Sequence, residues 1–224
     1  MTIEKPIDVT VDSVAEFQHG ITRIAISADS RRHAVANTDM EVNVFEGDQV
    51  IYGGYFGSLN PKVKPTERIR DIAFSPDGYK LYVAAGEQVT AIDIATASVI
   101  WDYVAPRSFG FLIISPLSLD VSEDGEVLCA FDNGSIASWS PTGSVTHRWS
   151  HNDSPRTLRF LPGGDRFVGT DSFSLCVWDL SKQKRKVKLV LLDACMRWML
   201  GQLARSLQRG LFKTLWCGTS SREM

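Results

Sequence analysis

The sequence lacks the features that mark membrane, secreted and disulfide-rich proteins. Its 224 residues contain no uninterrupted apolar run of about 18 residues, so we expect no membrane-spanning helix. The first residues carry acidic side chains and no apolar segment of the kind that a secretory signal needs, so we expect a cytoplasmic protein. Only four cysteines occur and none forms a Cys-x-x-Cys pair, which favours reduced thiols over disulfides or zinc.

Motifs for common catalytic chemistry are also missing. There is no Gly-rich phosphate loop, no Gly-x-Ser-x-Gly elbow, and no His-Glu-x-x-His spacing among the four histidines. The stretch from Asp120 to Gly125 looks like the start of a calcium loop, but its twelfth position is Phe131 instead of a bidentate acid. We therefore expect a protein that is not an enzyme and that binds no cofactor and no metal.

Charge is distributed unevenly along the chain. Residues 181–224 carry ten basic and two acidic residues, a net charge of +8, whereas residues 1–180 carry 14 basic and 24 acidic residues, a net charge of −10. The hydrophobic pattern changes at the same boundary. The sequence therefore divides into an acidic body and a basic tail.

The body contains an internal repeat. Residues 21–30, 68–78, 117–125 and 156–164 each combine alternating apolar residues with a polar turn, and aligning them gives steps of 48, 47 and 40 residues. The alternating apolar residues are Ile24 and Ile26, Ile72 and Phe74, Leu119 and Val121, and Leu158 and Phe160. This alternation predicts a strand with one buried face, followed by a tight turn.

A second column of large residues falls later in each repeat. Phe45, Ile92, Trp139 and Trp178 follow one another at steps of 47, 47 and 39 residues. Short apolar runs lie between the first repeated segment and this second set of residues, and again after the second set. Each repeat therefore predicts four short strands joined by turns. The predicted units span about 21–58, 68–106, 116–151 and 155–190.

Four-stranded antiparallel units at this spacing are typical of β-propeller blades. Residues 72–100 resemble a YVTN repeat, and residues 150–180 resemble a WD40 repeat with Trp178-Asp179 as its Trp-Asp dipeptide. The resemblance covers roughly residues 14–190. It implies an all-β propeller of about four blades, small or incomplete as a ring, that acts as a non-catalytic scaffold for protein partners. The sequence does not identify those partners.

The WD40 resemblance also implies structural details. In WD40 proteins a His, a Ser or Thr, an Asp and the Trp form a structural hydrogen-bond tetrad, and the matching residues in the last unit are His151, Thr170, Asp171 and Trp178. Residues 14–20 occupy the place of a ring-closing strand, which in such propellers completes the last blade.

A second resemblance gives an alternative function. Residues 89–106 resemble the Ala-x-Asp-x-x-Thr-Gly-x-x-x-Trp phrase of quinoprotein-like propellers, with Thr96 and Trp101 in place and Ala97 where the Gly belongs. This resemblance implies a propeller that binds a substrate or cofactor. No Cys-Cys pair or calcium-ligand set accompanies the phrase, so we expect no bound quinone.

One loop offers a possible interaction surface with two interpretations. The segment from 107 to 115 is unusually apolar for a connection between units, and Phe109, Phe111 and Leu112 would form a lip that binds a partner. The same residues would equally begin the next strand and belong to the core. Both interpretations stay open at the level of sequence.

The region from 191 to 224 predicts a basic amphipathic helix, because apolar residues recur there at steps of three and four. Its basic residues, with those just before it, are Lys182, Lys184, Arg185, Lys186, Lys188, Arg197, Arg205, Arg209 and Lys213. Such a tail would make the protein an adaptor for a membrane surface or nucleic acid. Alternatively, the tail results from a truncated or frame-shifted reading of a longer propeller and has no function of its own. Self-association fits either interpretation, because four blades lie at the bottom of the propeller range.

Overall fold

The computed structural model describes residues 19–57, 68–105, 114–150, 155–170, 174–180 and 184–190. All regular secondary structure within these ranges is β-strand. The first sheet contains β1 (Ile21–Ile26), β2 (Arg32–Asn37), β3 (Glu41–Glu46) and β4 (Gln49–Tyr55). The second contains β5 (Ile69–Phe74), β6 (Lys80–Ala85), β7 (Gln88–Asp93) and β8 (Ser98–Val104). The third contains β9 (Pro116–Val121), β10 (Val127–Phe131), β11 (Ser135–Trp139) and β12 (Val145–Ser150). The fourth contains β13 (Thr157–Phe160), β14 (Arg166–Thr170), β15 (Ser174–Asp179) and β16 (Lys184–Val190).

Each sheet is an antiparallel meander whose strands lie side by side in chain order. The prediction of an all-β chain built from four-stranded antiparallel units is therefore confirmed for the described residues. The predicted helical tail at 191–224 lies outside them. Of the predicted closing strand at 14–20, only His19 and Gly20 are described, and neither belongs to a strand.

The turn between the first two strands explains the repeated polar phrase. The Ser75 hydroxyl donates to the Asp77 carboxylate at 2.5 Å and accepts a hydrogen bond from the Lys80 N–H at 2.9 Å. Gly78 completes the turn with a φ of +73°, which favours glycine. The same bonds recur around Ser27 one unit earlier. The buried serines of these two phrases thus bond to both the backbone and the carboxylate of their turns.

Neighbouring sheets pack face to face, with the first strand of each sheet beside the first strand of the next. We call the face toward the preceding sheet the front face and the face toward the following sheet the rear face. In the first and fourth sheets, the same names apply to the faces that carry the equivalent residues. The cluster between the first and second sheets joins small rear-face residues, Ala34, Ala36, Val42 and Val44, to larger front-face residues, Ile72, Phe74, Leu81 and Val83. The core therefore lies between sheets, and each sheet has two apolar faces.

An aromatic cluster joins the second and third sheets. Trp139 is fully buried, and its ring centroid lies 5.8 Å from that of Trp101 and 4.9 Å from that of Tyr103. The Tyr82 hydroxyl and the indole N–H groups of Trp101 and Trp139 are buried with no hydrogen-bond partner among the described residues. Ring packing thus holds these two sheets together. Burial raises the pKa of Tyr82 to about 12, so its hydroxyl stays neutral.

Candidate functional site

A cleft of about 430 Å³ runs along the first strands of the sheets. It is lined by Ile24, Ala25, Ile26, Ile72, Ala73, Phe74, Leu119, Asp120, Val121 and Arg159. These residues come from β1, β5, β9 and β13, so one cleft collects side chains from all four sheets. The four repeated units meet at this cleft.

A relay of hydrogen bonds connects the sheets beside this cleft. The Asp71 carboxylate accepts from the Leu119 N–H at 2.9 Å and from the Ser118 hydroxyl at 3.1 Å. The Ser118 hydroxyl in turn accepts from the Leu158 N–H at 3.2 Å. Asp71 and Ser118 occupy equivalent positions in their sheets, and so do Leu119 and Leu158. A side chain of one sheet thus satisfies the edge N–H of the next, which an edge strand otherwise leaves unpaired.

Asp120 and Arg159 add charged contacts to the relay. The Asp120 carboxylate accepts from the Phe160 N–H at 2.6 Å. The Arg159 guanidinium donates to the Leu119 carbonyl at 3.2 Å and lies 3.8 Å from the Asp71 carboxylate. Burial raises the pKa of Asp120, and the nearby Arg159 charge and the Phe160 N–H offset only part of that effect. The fourth sheet is thereby tied to both the third and the second.

Chemically, these groups are suited to joining sheets. The two carboxylates and the guanidinium are directed at backbone groups of neighbouring strands. The same Asp71 oxygen receives both the Leu119 N–H and the Ser118 hydroxyl, and it also lies nearest to Arg159. Such bonds stabilise the array, because each one pairs a group that packing would otherwise bury unsatisfied.

The front face of the first sheet differs from the front faces that follow it. Ile24 and Ile26 are 61% and 65% exposed, whereas the equivalent Ile72 and Phe74 of the second sheet are 5% and 8% exposed. Ile21, at the start of the same strand, is 49% exposed. We call Ile21, Ile24 and Ile26 the β1 strip. Two of its members, Ile24 and Ile26, line one side of the cleft.

The predicted structural tetrad is only partly within the described residues. In the register of β14 and β15, Thr170 pairs with Leu175 and Trp178 pairs with Phe167. Because side chains alternate along a strand, Thr170 and Trp178 lie on opposite faces of the sheet. The tetrad as a whole stays a prediction. Its other two members, His151 and Asp171, lie outside the described residues.

The predicted apolar lip and most of the basic tail also fall outside the described residues. These positions are Phe109, Phe111, Leu112, Lys182, Arg197, Arg205, Arg209 and Lys213. The remaining basic residues of the prediction, Lys184, Arg185, Lys186 and Lys188, belong to β16. They therefore form part of the edge strand of the fourth sheet.

The quinoprotein-like phrase forms the turn between β7 and β8. The Asp93 carboxylate accepts from the Thr96 N–H at 2.9 Å, and the Thr96 and Ser98 hydroxyls lie 2.8 Å apart. Ala97 adopts a φ of +54°, in the left-handed region where the phrase has glycine. Trp101 then packs into the aromatic cluster between the second and third sheets. Within the described residues, Asp93 and Thr96 thus stabilise a turn, and Trp101 packs against the core.

The sequence did not predict that the residues of the relay join the sheets. Asp71, Ser118, Asp120 and Arg159 lie in first strands, between or just before the apolar positions that define the repeat. In the sequence, these residues are recognisable only as polar residues next to the alternating apolar residues of a first strand. Such a polar residue predicts a bond between sheets only when the position of the neighbouring sheet is known.

In the part of the chain that the structure describes, no helix is long and apolar enough to cross a bilayer. Among the same residues, no group of three or more His, Cys, Asp or Glu side chains is placed to hold a metal ion. No protein-family model matches the chain, and no curated protein is similar enough to match it.

Proposed function

We propose that the four sheets are consecutive blades of a β-propeller of WD40/YVTN type, and that the protein acts as a non-catalytic scaffold for protein-protein interaction. The repeated packing supports this arrangement. The front faces of the second, third and fourth sheets pack on the rear face before them, and the four first strands line one cleft. The equivalent residues Asp71 and Ser118 supply bonds from the second sheet to the third and from the third to the fourth. Propeller blades are arranged around an axis in this way.

The observation that carries the scaffold function is the exposure of the β1 strip. Isolated apolar residues on a surface are ordinary, but a contiguous apolar face marks a site of interaction. The strip consists of three isoleucines on one strand, all about half exposed or more. The residues at the same positions of the second sheet are buried by a protein neighbour. The strip therefore has the shape and chemistry of a surface that packs against another β-sheet.

Affinity capture with matched variants tests the scaffold function. The immobilised full chain would be compared with the double variant Ile24→Glu, Ile26→Glu, and retained proteins would be quantified by mass spectrometry. Val99→Glu is the control, because Val99 is 60% exposed and lies on β8, away from the strip. We expect a defined set of proteins to be lost with the double variant and kept with the control. Identical sets for all three chains would contradict the proposal.

A further inference from the structure

We propose that Asn133 is a site of spontaneous covalent modification, at which the backbone nitrogen of Gly134 displaces ammonia from the side-chain amide. The site lies in the turn between β10 and β11. Asn133 is exposed in this turn, and it is the one asparagine of the chain that a glycine follows. Because glycine has no Cβ, the main steric barrier to attack by its nitrogen is missing.

Two hydrogen-bond donors hold the carbonyl oxygen of the Asn133 side chain. The Ser135 N–H donates to Asn133 Oδ1 at 2.9 Å, and the Ser135 hydroxyl donates to the same oxygen at 2.6 Å. Negative charge develops on this oxygen when a nucleophile adds to Cγ. Both donors therefore bind the transition state more strongly than the ground state. Ser135 thus provides an oxyanion hole for attack at Asn133.

The attacking nitrogen belongs to the same turn. The Gly134 N–H donates to the Phe131 carbonyl at 3.0 Å, and Gly134 adopts a φ of +82°. The nitrogen becomes nucleophilic when its bond to Phe131 opens and hydroxide removes the proton. It is joined to Asn133 through the peptide bond, so its attack on Cγ closes a five-membered ring. Such an intramolecular attack has a high effective concentration.

The reaction consumes water, releases ammonia and transfers no electrons between groups. A bond forms between the Gly134 nitrogen and Asn133 Cγ. The bond from Cγ to the side-chain nitrogen then breaks, and this nitrogen takes a proton from water and leaves as ammonia. Water opens the resulting cyclic imide. Its attack at Cγ gives aspartate, and its attack at the main-chain carbonyl gives isoaspartate, in which the backbone passes through Cβ and Cγ.

Both products add a negative charge to the turn, next to Asp132. The Asp132 carboxylate accepts from the Ser115 N–H at 3.1 Å, and the Asp132 N–H donates to the Ser115 carbonyl at 3.0 Å. These bonds tie the turn to the residue just before β9. Modification therefore changes the charge of a turn that is bonded to the start of the third sheet, and the isoaspartate form also lengthens its backbone.

Incubation of the full chain at neutral and at mildly alkaline pH, followed by peptide mass spectrometry, measures the conversion. We expect aspartate and isoaspartate to accumulate at position 133, faster at alkaline pH because hydroxide removes the Gly134 proton. Asn37 is the internal control. Its Oδ1 accepts from the Asp39 N–H at 3.0 Å, which is the same type of bond, but Thr38 follows it in place of glycine. Asn37 should stay intact.

Variants of Ser135 test the oxyanion hole. Ser135→Ala removes the hydroxyl and should slow the conversion about tenfold, less than a donor contributes in an enzyme, because Ser135 is only half-buried. Ser135→Thr keeps a hydroxyl and should restore the rate. In guanidinium chloride the turn is lost, so wild type and both variants should convert at the same rate.

Three results would overturn the inference. If Asn133 stays intact in the folded chain while the unfolded chain converts, the fold protects the amide. If wild type and Ser135→Ala convert equally fast when folded, the Asn-Gly sequence suffices and the donors contribute nothing. If Ser135→Ala slows the unfolded chain as much as the folded one, the effect comes from the residue type and not from the geometry of the turn.

Discussion

Removing the Asp71 carboxylate should destabilise the joint between the second and third sheets. Asp71 accepts the N–H of Leu119, a residue that is 1% exposed, and in Asp71→Ala that N–H is left buried without its partner. An unpaired buried donor costs about 1–3 kcal/mol. The contact with Arg159, whose side chain is 53% exposed, adds no more than about 1 kcal/mol. We therefore expect a loss of about 2–3 kcal/mol in the free energy of unfolding.

Urea unfolding followed by circular dichroism measures this loss, provided that the slope of the transition stays unchanged. Asp71→Asn is the matched control, because its amide oxygen still accepts the Leu119 N–H while the charge next to Arg159 is gone. We expect it to retain most of the stability that Asp71→Ala loses. A loss below about 0.5 kcal/mol for Asp71→Ala would refute the reasoning, since ordinary surface substitutions stay within that range. Equal losses for both variants would show that charge, not the edge N–H, controls the joint.

Three further substitutions test other parts of the structure. Ala97→Gly should stabilise the protein by about 1 kcal/mol, because glycine adopts the observed φ of +54° without the left-handed penalty, and a lower melting temperature would contradict this. Tyr82→Phe should leave stability unchanged or raise it by about 1 kcal/mol, because it removes a buried hydroxyl that has no described partner; a loss above 1 kcal/mol in urea unfolding would be the opposite result. Burial raises the pKa of Asp77, but hydrogen bonds from Ser75 and Tyr79 outweigh it and leave the pKa of that carboxyl below its usual range. Asp77→Asn should therefore reduce stability at neutral pH, and its difference from wild type should disappear as the pH falls through the folded-state pKa; a constant difference in acid titrations would refute this.

The strands could be predicted from sequence because their signal is local. Alternation of apolar residues shows which side chains share a face, and the Ser-x-Asp turn shows where a strand ends. Local alternation does not show whether a neighbour covers the face. Ile24 and Ile26 have the same pattern as Ile72 and Phe74, yet the first pair is exposed and the second is buried.

The relay was unpredictable for a related reason. Asp71 bonds to Leu119, 48 residues away, and the partner is a backbone N–H that every residue type except proline supplies. The residue type at position 119 therefore does not indicate that its N–H bonds to Asp71. The relay therefore depends on the distance between two sheets, which the repeat spacing does not contain.

The bonds that edge N–H groups make between sheets also have a direction along the chain. For the N–H groups of Leu119, Leu158 and Phe160, the earlier sheet supplies the accepting side chain and the later sheet supplies the N–H. During synthesis, which proceeds from the N-terminus, the third and fourth sheets would each meet a neighbour whose acceptors are already in place. Growth of the array would thus be templated from its second sheet toward its last. A defect at one junction would weaken the sheets made after it more than those made before.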